Sequence, residues 1–269
     1  MKLSLCIATF NEEKFIHYPL DSAYDLVDEV IIVDGGSEDK TLEIARSYGE
    51  KIKIIQTDNP PMFHKNKQKA LDVAKGEWIL QLDADEALSD ALKAEIQRVI
   101  LADEARPGSQ VGMTINLKKQ PVAYWFPRLN YFLGRYLRKG GIYPDYTIRL
   151  YKNGVAHFPC KSVHENVVIN GEVGYTKADL LHFADPNFER YLTRWNRYTS
   201  MDAMLALEKK EQLNAFSYFV WKPTAWFFTT YFRHRGYVDG FPGFVFALFS
   251  SIRFWVIYIK VWQEHHKKN

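Results

Sequence analysis

Apolar strand patterns alternate with helical spacing through residue 82, and this alternation constrains the fold more than any other feature of the chain. The strand patterns are 3–10, 29–33, 52–56 and 78–82, and the helical patterns are 16–26, 39–48 and 65–75. This order predicts an α/β fold with a Rossmann-like, mostly parallel sheet flanked by helices. Right-handed crossovers bring the carboxyl ends of such strands to one edge, which is the expected ligand site.

Polar residues follow three of these strands at the predicted edge. They are Thr9, Asn11 and Glu12 after the first strand, Asp34 and Ser37 after the second, and Asp83 and Asp85 after the fourth. Two carboxylates one residue apart beyond a buried strand need either a cation or water. A hard ion such as Mg²⁺ or Mn²⁺ that also contacts phosphate oxygens suits them. A solvated loop is the alternative interpretation of so short a motif.

Several other functional classes are excluded. The sequence has no GxxxxGK[ST] P-loop, and no GxGxxG dinucleotide fingerprint follows the first strand. A net charge of +3 is too small to predict a nucleic-acid partner. The two cysteines, Cys6 and Cys160, provide neither a disulfide framework nor a zinc motif.

Four ordered motifs together resemble those of an inverting family 2 glycosyltransferase with the GT-A fold. They lie at 5–13, 33–41, 67–78 and 83–86, and the last is a DxD motif. The resemblance covers about the first 185 residues. Within that family, the sequence is most similar to the bacterial lipopolysaccharide-core glucosyltransferase group.

The resemblance implies that the first two strand ends hold the nucleotide of a nucleotide-sugar donor. The residues expected to line this pocket are Thr9, Asn11, Glu12 and Ser37. Asp34 would hydrogen-bond the base, which in this family is usually uracil. Gly35 stands where many members carry a second acid, so the identity of the base stays open.

The resemblance also implies a diphosphate and metal site. Lys67 would face the diphosphate, Asp83 would lie near the ribose and the metal, and Asp85 would bind the metal, Mg²⁺ or Mn²⁺. The metal would neutralise the nucleoside diphosphate leaving group.

An inverting transferase needs one general base for the acceptor hydroxyl. The segment 144–164 resembles the family's base region, and there Asp145 matches the catalytic carboxylate while Glu165 is the competing candidate. His164 matches a histidine that approaches the metal or diphosphate in some members, and a structural histidine is the alternative. Arg149 is expected to be either a phosphate contact or, as we favour, the partner of an acid.

The C-terminus differs from the rest of the chain, so we predict a glycosyltransferase domain at 1–215 and a membrane-associating helical segment at 216–269. Residues 216–262 hold 18 of the 41 aromatic residues. A helical stripe of Ser250, Arg253, Lys260, Glu264 and Lys267 beside Trp and Phe is typical of a helix lying in the membrane interface. Packing of these aromatics on the body of the protein or in a dimer is the alternative.

Together these features predict a metal-dependent enzyme that moves a sugar from a nucleotide diphosphate donor, most simply a UDP-sugar, to a lipid-linked or lipopolysaccharide-type acceptor. Its expected location is the cytoplasmic face of the bacterial inner membrane, as a peripheral or monotopic protein. Two alternatives stay open: a non-catalytic nucleotide-sugar-binding protein at the membrane surface, and a family 2 transferase that acts on a secreted polymer or a protein.

Overall fold

A computed structural model describes residues 1–60, 62–104, 120–160 and 166–266. The strands are β1 (Leu3–Thr9), β2 (Glu29–Asp34), β3 (Ile52–Gln56), β4 (Trp78–Asp83), β5 (Glu86–Leu88), β6 (Ala123–Phe132), β7 (Arg135–Tyr136), β8 (Asp145–Lys152), β9 (Ala156–His157), β10 (Val168–Ile169), β11 (Val173–Tyr175) and β12 (Leu180–Asp185). The helices are α1 (His17–Ala23), α2 (Thr41–Ser47), α3 (His64–Val73), α4 (Asp90–Glu104), α5 (Phe188–Glu208), α6 (Lys222–Phe227) and α7 (Gly240–His266). Short π-helical turns (Ser217–Trp221, Phe228–Arg233) and a 3₁₀ turn (Gly236–Asp239) join the last helices.

The first four long strands form the parallel part of the sheet, in the order β3-β2-β1-β4. Side chains alternate along a strand, so Leu5 and Ile7 face one hydrophobic core while Cys6 faces the other. Helices α1, α2 and α4 contribute residues to the first core, and α3 contributes residues to the second. Burial on both faces explains why β1, β2 and β4 are mostly apolar in the sequence.

The later strands add an antiparallel part. Strand β8 pairs antiparallel with β4, β6 pairs antiparallel with β8, and β12 pairs antiparallel with β5. The predicted GT-A type of sheet with flanking helices is therefore confirmed, and its parallel part is the half that ends in the polar clusters. The antiparallel β8 is important for the site because it returns beside the end of β4.

The chain divides into two compact units. The first contains 1–128 and 145–182, and the second contains 129–144 and 183–269. The sheet core and the polar strand ends belong to the first unit. Helices α5, α6 and α7 belong to the second. The predicted domain boundary at residue 215 stays a prediction. The two compact units instead divide after residues 128, 144 and 182.

Helix α7 turns its polar stripe toward the protein. The Lys260 ammonium donates hydrogen bonds to Asn196, Thr199 and Ser200 on α5, at 2.7–2.8 Å. The Arg253 guanidinium lies 4.4 Å from the centre of the Trp226 ring. The two described cations of the predicted basic stripe, Arg253 and Lys260, therefore contact other side chains of the protein, and the predicted membrane association stays a prediction. The remaining cation of that stripe, Lys267, lies outside the described residues.

The exposed side of α7 is apolar instead. The exposed apolar residues of α7 are Phe241, Phe244, Trp255, Ile259 and Trp262. A helix on a protein surface in water shows the opposite arrangement, with polar residues outward. Among the described residues, one helical stretch is long and apolar enough to cross a membrane, and it is Gly236–His266. This criterion uses length and composition alone. Only a third of its most apolar window is buried within the protein.

Candidate active site

The predicted polar residues meet at the carboxyl edge of the parallel strands. In the register of the sheet, Thr9 pairs with Asp34, and Ala8, next to Thr9, pairs with Asp83. Three strand ends that are distant in sequence therefore lie side by side. The expectation that β1, β2 and β4 share one polar edge is met.

The loop after β2 is closed by the side chain of Asp34. Its Oδ2 accepts hydrogen bonds from the backbone N–H groups of Gly36 and Ser37, at 3.0 and 2.9 Å, and its Oδ1 accepts one from the Ser37 hydroxyl at 2.5 Å. Asp34 is completely buried. The carboxylate therefore shapes the loop predicted to hold the nucleoside, and its expected bond to the base stays a prediction.

The loop after β1 is tied to the loop after β2. The Asn11 backbone N–H donates to the Ser37 hydroxyl at 2.8 Å, and the Asn11 side-chain oxygen accepts from the Glu38 backbone N–H at 2.9 Å. The Glu12 backbone N–H donates to the Thr41 hydroxyl at 2.8 Å. Asn11 has a left-handed backbone (φ 54°), which asparagine tolerates better than most residues. These bonds fix two of the predicted nucleotide-binding loops as one unit.

Thr9 presents a buried hydroxyl at the end of β1. The residue is 6% exposed, and within the described part of the chain its Oγ1 has no hydrogen-bond partner. Leaving a buried hydroxyl unpaired costs about 1–3 kcal/mol, so such groups usually serve a ligand or a water molecule. Thr9 therefore fits the role of a nucleotide contact.

Two cations hold the first carboxylate of the DxD motif. Lys67 on α3 forms an ion pair with Asp83 Oδ1, and Arg149 on β8 donates to Asp83 Oδ2 at 2.6 Å. Burial by itself would raise the pKa of the Asp83 carboxyl, but Arg149 and Lys67 outweigh it and lower that pKa well below its ordinary value. Asp83 is thus a permanent anion, and Lys67 is held at the predicted diphosphate side.

Arg149 continues the network beyond Asp83. It donates to the Gln81 side-chain oxygen at 2.7 Å and to Glu86 Oε1 at 2.8 Å. Glu86 is 0% exposed, and its other oxygen accepts the Asp83 backbone N–H at 3.0 Å. The interpretation of Arg149 as the partner of an acid is confirmed, and its partners are two acids, Asp83 and Glu86.

The same network reaches the predicted base. Arg128 on β6 lies 3.5 Å from Glu86 Oε1, and it donates two hydrogen bonds to Asp145 Oδ2, at 2.9 and 2.6 Å. Burial tends to lower the pKa of Arg128, but Glu86 and Asp145 raise it above its ordinary value. Charges of alternating sign therefore run without a break from Lys67 to Asp145, in the order Lys67, Asp83, Arg149, Glu86, Arg128, Asp145.

Asp85 lies beside a histidine that the sequence did not suggest. His182 on β12 places its Nε2 3.5 Å from Asp85 Oδ1, because β12 pairs with β5 directly after the DxD motif. Across the described ranges, no group of three or more His, Cys, Asp and Glu side chains is arranged to hold a metal ion. Mg²⁺ is ordinarily held by one or two carboxylates together with substrate phosphates, so Asp83 and Asp85 would fit such an ion at the predicted diphosphate site.

The sequence did not single out three members of this site: Glu86, Arg128 and His182. Glu86 is the last residue of the 83–86 motif, and its place directly after Asp85 was an available signal. Arg128 and His182 lie on strands whose places in the sheet depend on long-range pairing, so no local pattern identifies them. The two other predicted residues, His164 and Glu165, lie outside the described residues.

Comparison with known proteins identifies the family. Residues 4–163 match the model of the family described as glycosyl transferase family 2. An uncharacterized glycosyltransferase of Rickettsia felis is 30% identical over 268 residues, which cover 94% of this chain and 87% of that protein. This chain therefore belongs to glycosyltransferase family 2 and is an enzyme of that class.

Two further similarities agree with this assignment. The lipopolysaccharide core biosynthesis glycosyltransferase LpsC of Rhizobium meliloti is 25% identical over 272 residues, covering 100% of this chain and 94% of that protein. The mannosyltransferase PcManGT from Pyrobaculum calidifontis, solved with GDP-Man and Mn²⁺, has a TM-score of 0.53 at 12% identity over 98% of this chain and 87% of that one. The latter shows the shared fold.

Proposed function

We propose that this family 2 glycosyltransferase is a metal-dependent inverting enzyme that transfers a sugar from a UDP-sugar to a lipid-linked or lipopolysaccharide-type acceptor. The observation that carries the proposal is the unbroken charge network from Asp83 of the DxD motif to Asp145. It joins the residues suited to a diphosphate leaving group to a carboxylate suited to an acceptor hydroxyl. A protein that only bound the nucleotide would not need the carboxylate of Asp145 at the other end of the network.

The donor end of the site contributes binding and charge. Lys67 carries a cation at the strand edge, and the Thr9 hydroxyl is available to hydrogen-bond the nucleotide. Asp85, with His182 beside it, would hold Mg²⁺ or Mn²⁺. When bound, such an ion supplies Lewis-acid neutralisation of the leaving diphosphate. Asp83 contributes a fixed negative charge that keeps Lys67 and Arg149 in place.

The acceptor end provides the base. In the proposed step, Asp145 accepts the proton of the acceptor hydroxyl as that oxygen attacks the anomeric carbon from the face opposite the diphosphate. The new bond joins the acceptor oxygen to the anomeric carbon, and the bond to the diphosphate oxygen breaks. Arg128 orients the Asp145 carboxylate through two hydrogen bonds to a single oxygen.

The acceptor class and the location are supported by the second unit and by one relative. Helix α7 exposes an apolar face that suits a membrane surface. The relative LpsC is named for lipopolysaccharide core biosynthesis, and such acceptors are amphiphilic. We therefore place the enzyme on the cytoplasmic face of the inner membrane, where an amphiphilic acceptor and a surface-bound enzyme meet in two dimensions.

The direct test is a transfer assay with the full-length protein, radiolabelled UDP-sugars, and lipid or lipopolysaccharide acceptors. We expect transfer that is abolished by EDTA and restored by Mn²⁺ or Mg²⁺. We also expect the product to have the anomeric configuration opposite to that of the donor, as read by NMR. Transfer that survives EDTA would contradict the metal requirement, and retention of configuration would contradict a single base at Asp145.

Asp85→Asn should weaken metal-dependent binding of UDP by roughly tenfold or more, because an amide is a poorer ligand than a carboxylate for a hard cation. Isothermal calorimetry with and without Mn²⁺ measures the effect. The control is Asp90→Asn, which alters a fully exposed side chain on α4. Equal UDP affinity in Asp85→Asn and the wild type would remove Asp85 from the metal site.

A further inference from the structure

The second unit carries a concentration of cations that the proposed chemistry does not use. The segments 133–141 and 233–241 together contain five Lys and Arg residues, one His and one acid. The basic residues, called the basic cluster below, are Arg135, Arg138, Lys139, Arg233, His234 and Arg235. Every member is exposed, whereas the acid, Asp239, is buried.

Backbone contacts bring the two segments together. Asp239 Oδ2 accepts hydrogen bonds from the backbone N–H groups of Arg138 and Lys139, at 3.0 and 2.7 Å. The Gly140 N–H donates to the His234 carbonyl at 3.0 Å. Residues about a hundred positions apart in sequence therefore form one surface. One cationic side chain takes part in this contact, because Arg135 donates a hydrogen bond to the Val238 carbonyl at 3.3 Å.

A glycine makes this approach possible. Gly141 has φ +77°, and a Cβ placed there would lie 3.3 Å from the ring of His234. Its left-handed backbone and the nearby ring both favour a residue without a side chain. The close packing of the two segments is therefore built into the sequence.

The two segments contain one acid, Asp239, against their six basic residues. Asp239 is already bonded to two backbone amides, and Arg135 Nε lies 3.9 Å from it. Within the described part of the chain, no acidic side chain pairs with Lys139, Arg233 or Arg235. Like charges gathered in this way repel one another, and an anionic partner would relieve that repulsion.

Exposed aromatic side chains occur within the second segment and just before it. Phe228, Phe232 and Phe241 are 57%, 51% and 72% exposed, and Phe241 begins the outward apolar face of α7. Cations beside exposed aromatics are the combination that binds the interface of an anionic bilayer, where charged heads meet phosphates and rings enter the apolar layer.

We propose that the basic cluster binds the phosphate headgroups of anionic phospholipids, with Phe228, Phe232 and Phe241 entering the adjoining apolar layer. The inference rests on the proposed membrane-surface function and deepens it by naming the residues and the lipid chemistry. A phosphate group on a soluble molecule has the same chemistry, and the experiment distinguishes the two sources.

The test is flotation of the full-length protein with vesicles of phosphatidylcholine alone or of phosphatidylcholine mixed with phosphatidylglycerol. The wild type should bind the anionic vesicles more tightly, and added salt should weaken that binding. The triple variant Lys139→Gln, Arg233→Gln, Arg235→Gln should bind anionic vesicles about 100-fold more weakly. Its binding to neutral vesicles, which depends on the aromatic residues, should change by less than about threefold.

A matched control removes the same charge elsewhere. Lys75→Gln, Lys177→Gln, Lys209→Gln alters three other exposed lysines and should bind as the wild type does. Equal binding of the wild type to both vesicle types, or equal losses in the two triple variants, would overturn the proposal. Displacement from anionic vesicles by inorganic phosphate at constant ionic strength would assign the cluster to a soluble phosphate compound instead.

Two measurements keep this proposal separate from the proposed transferase chemistry. Calorimetric binding of UDP by each variant reports on the first unit, and circular dichroism shows that the variant is folded. If the wild type binds no nucleotide, the donor assignment fails while the vesicle result still decides the basic cluster. If UDP binds normally but vesicle binding shows no dependence on lipid charge, only the headgroup inference fails.

Discussion

Replacing Asp145 with asparagine is expected to lower the rate of sugar transfer by about 10²- to 10⁴-fold, the usual contribution of a general base. The amide has nearly the same shape and still offers an oxygen to Arg128, so the fold should be preserved. It cannot accept the acceptor proton at neutral pH. Steady-state kinetics should show the loss in kcat, and calorimetry should show UDP binding within about threefold of the wild type.

The control for this prediction is Glu77→Gln, which neutralises an exposed carboxylate in the same unit. It should leave both kcat and UDP affinity unchanged. If Asp145→Asn transfers sugar at the wild-type rate, Asp145 is not the base, and Glu165 becomes the next residue to replace. If the variant folds but loses UDP binding, Asp145 belongs to the donor end of the site.

Replacing Glu86 with alanine is expected to lower the free energy of unfolding by about 3–5 kcal/mol, because it leaves two cations without their shared partner. Glu86 is 0% exposed and lies between Arg149 and Arg128, at 2.8 and 3.5 Å. Denaturant unfolding followed by circular dichroism measures the loss. A protein of this kind has only about 5–15 kcal/mol of stability, so the variant should be markedly fragile.

Two comparisons make the Glu86 result specific. Glu77→Ala removes an exposed carboxylate and should change the free energy of unfolding by less than about 0.5 kcal/mol. The double variant Glu86→Ala, Arg149→Met should lose less free energy of unfolding than the two single variants lose in sum. Each single change leaves a buried charge without the partner that the other change would have removed. A loss below about 1 kcal/mol in Glu86→Ala would contradict the network.

The strand ends were predictable from the sequence because their positions depend on local order. Alternating strand and helix patterns fix a right-handed parallel sheet, and such a sheet collects Thr9, Asp34 and Asp83 at one edge whatever the rest of the chain does. The resemblance to the family added roles for these residues. Membership of the family is confirmed by the comparisons, while the individual roles remain to be tested.

The rest of the site depends on long-range pairing. Arg128, Arg149 and His182 reach the DxD motif because β6, β8 and β12 take particular places in the sheet. No periodicity in the sequence specifies such antiparallel neighbours. Helix α7 gives a second example, because its amphipathic pattern was visible but the side that faces the protein depends on the polar residues of α5 that receive Lys260.

The central claim is that this edge of the sheet binds a nucleoside diphosphate sugar together with a divalent ion. Calorimetric titration of the full-length protein with UDP, GDP, CDP and dTDP, each with and without Mn²⁺, tests it most directly. We expect UDP to bind in the presence of Mn²⁺ and at least tenfold more weakly in its absence. Binding of none of the four nucleotides by folded protein would contradict the assignment of Thr9, Lys67, Asp83 and Asp85 to a donor site.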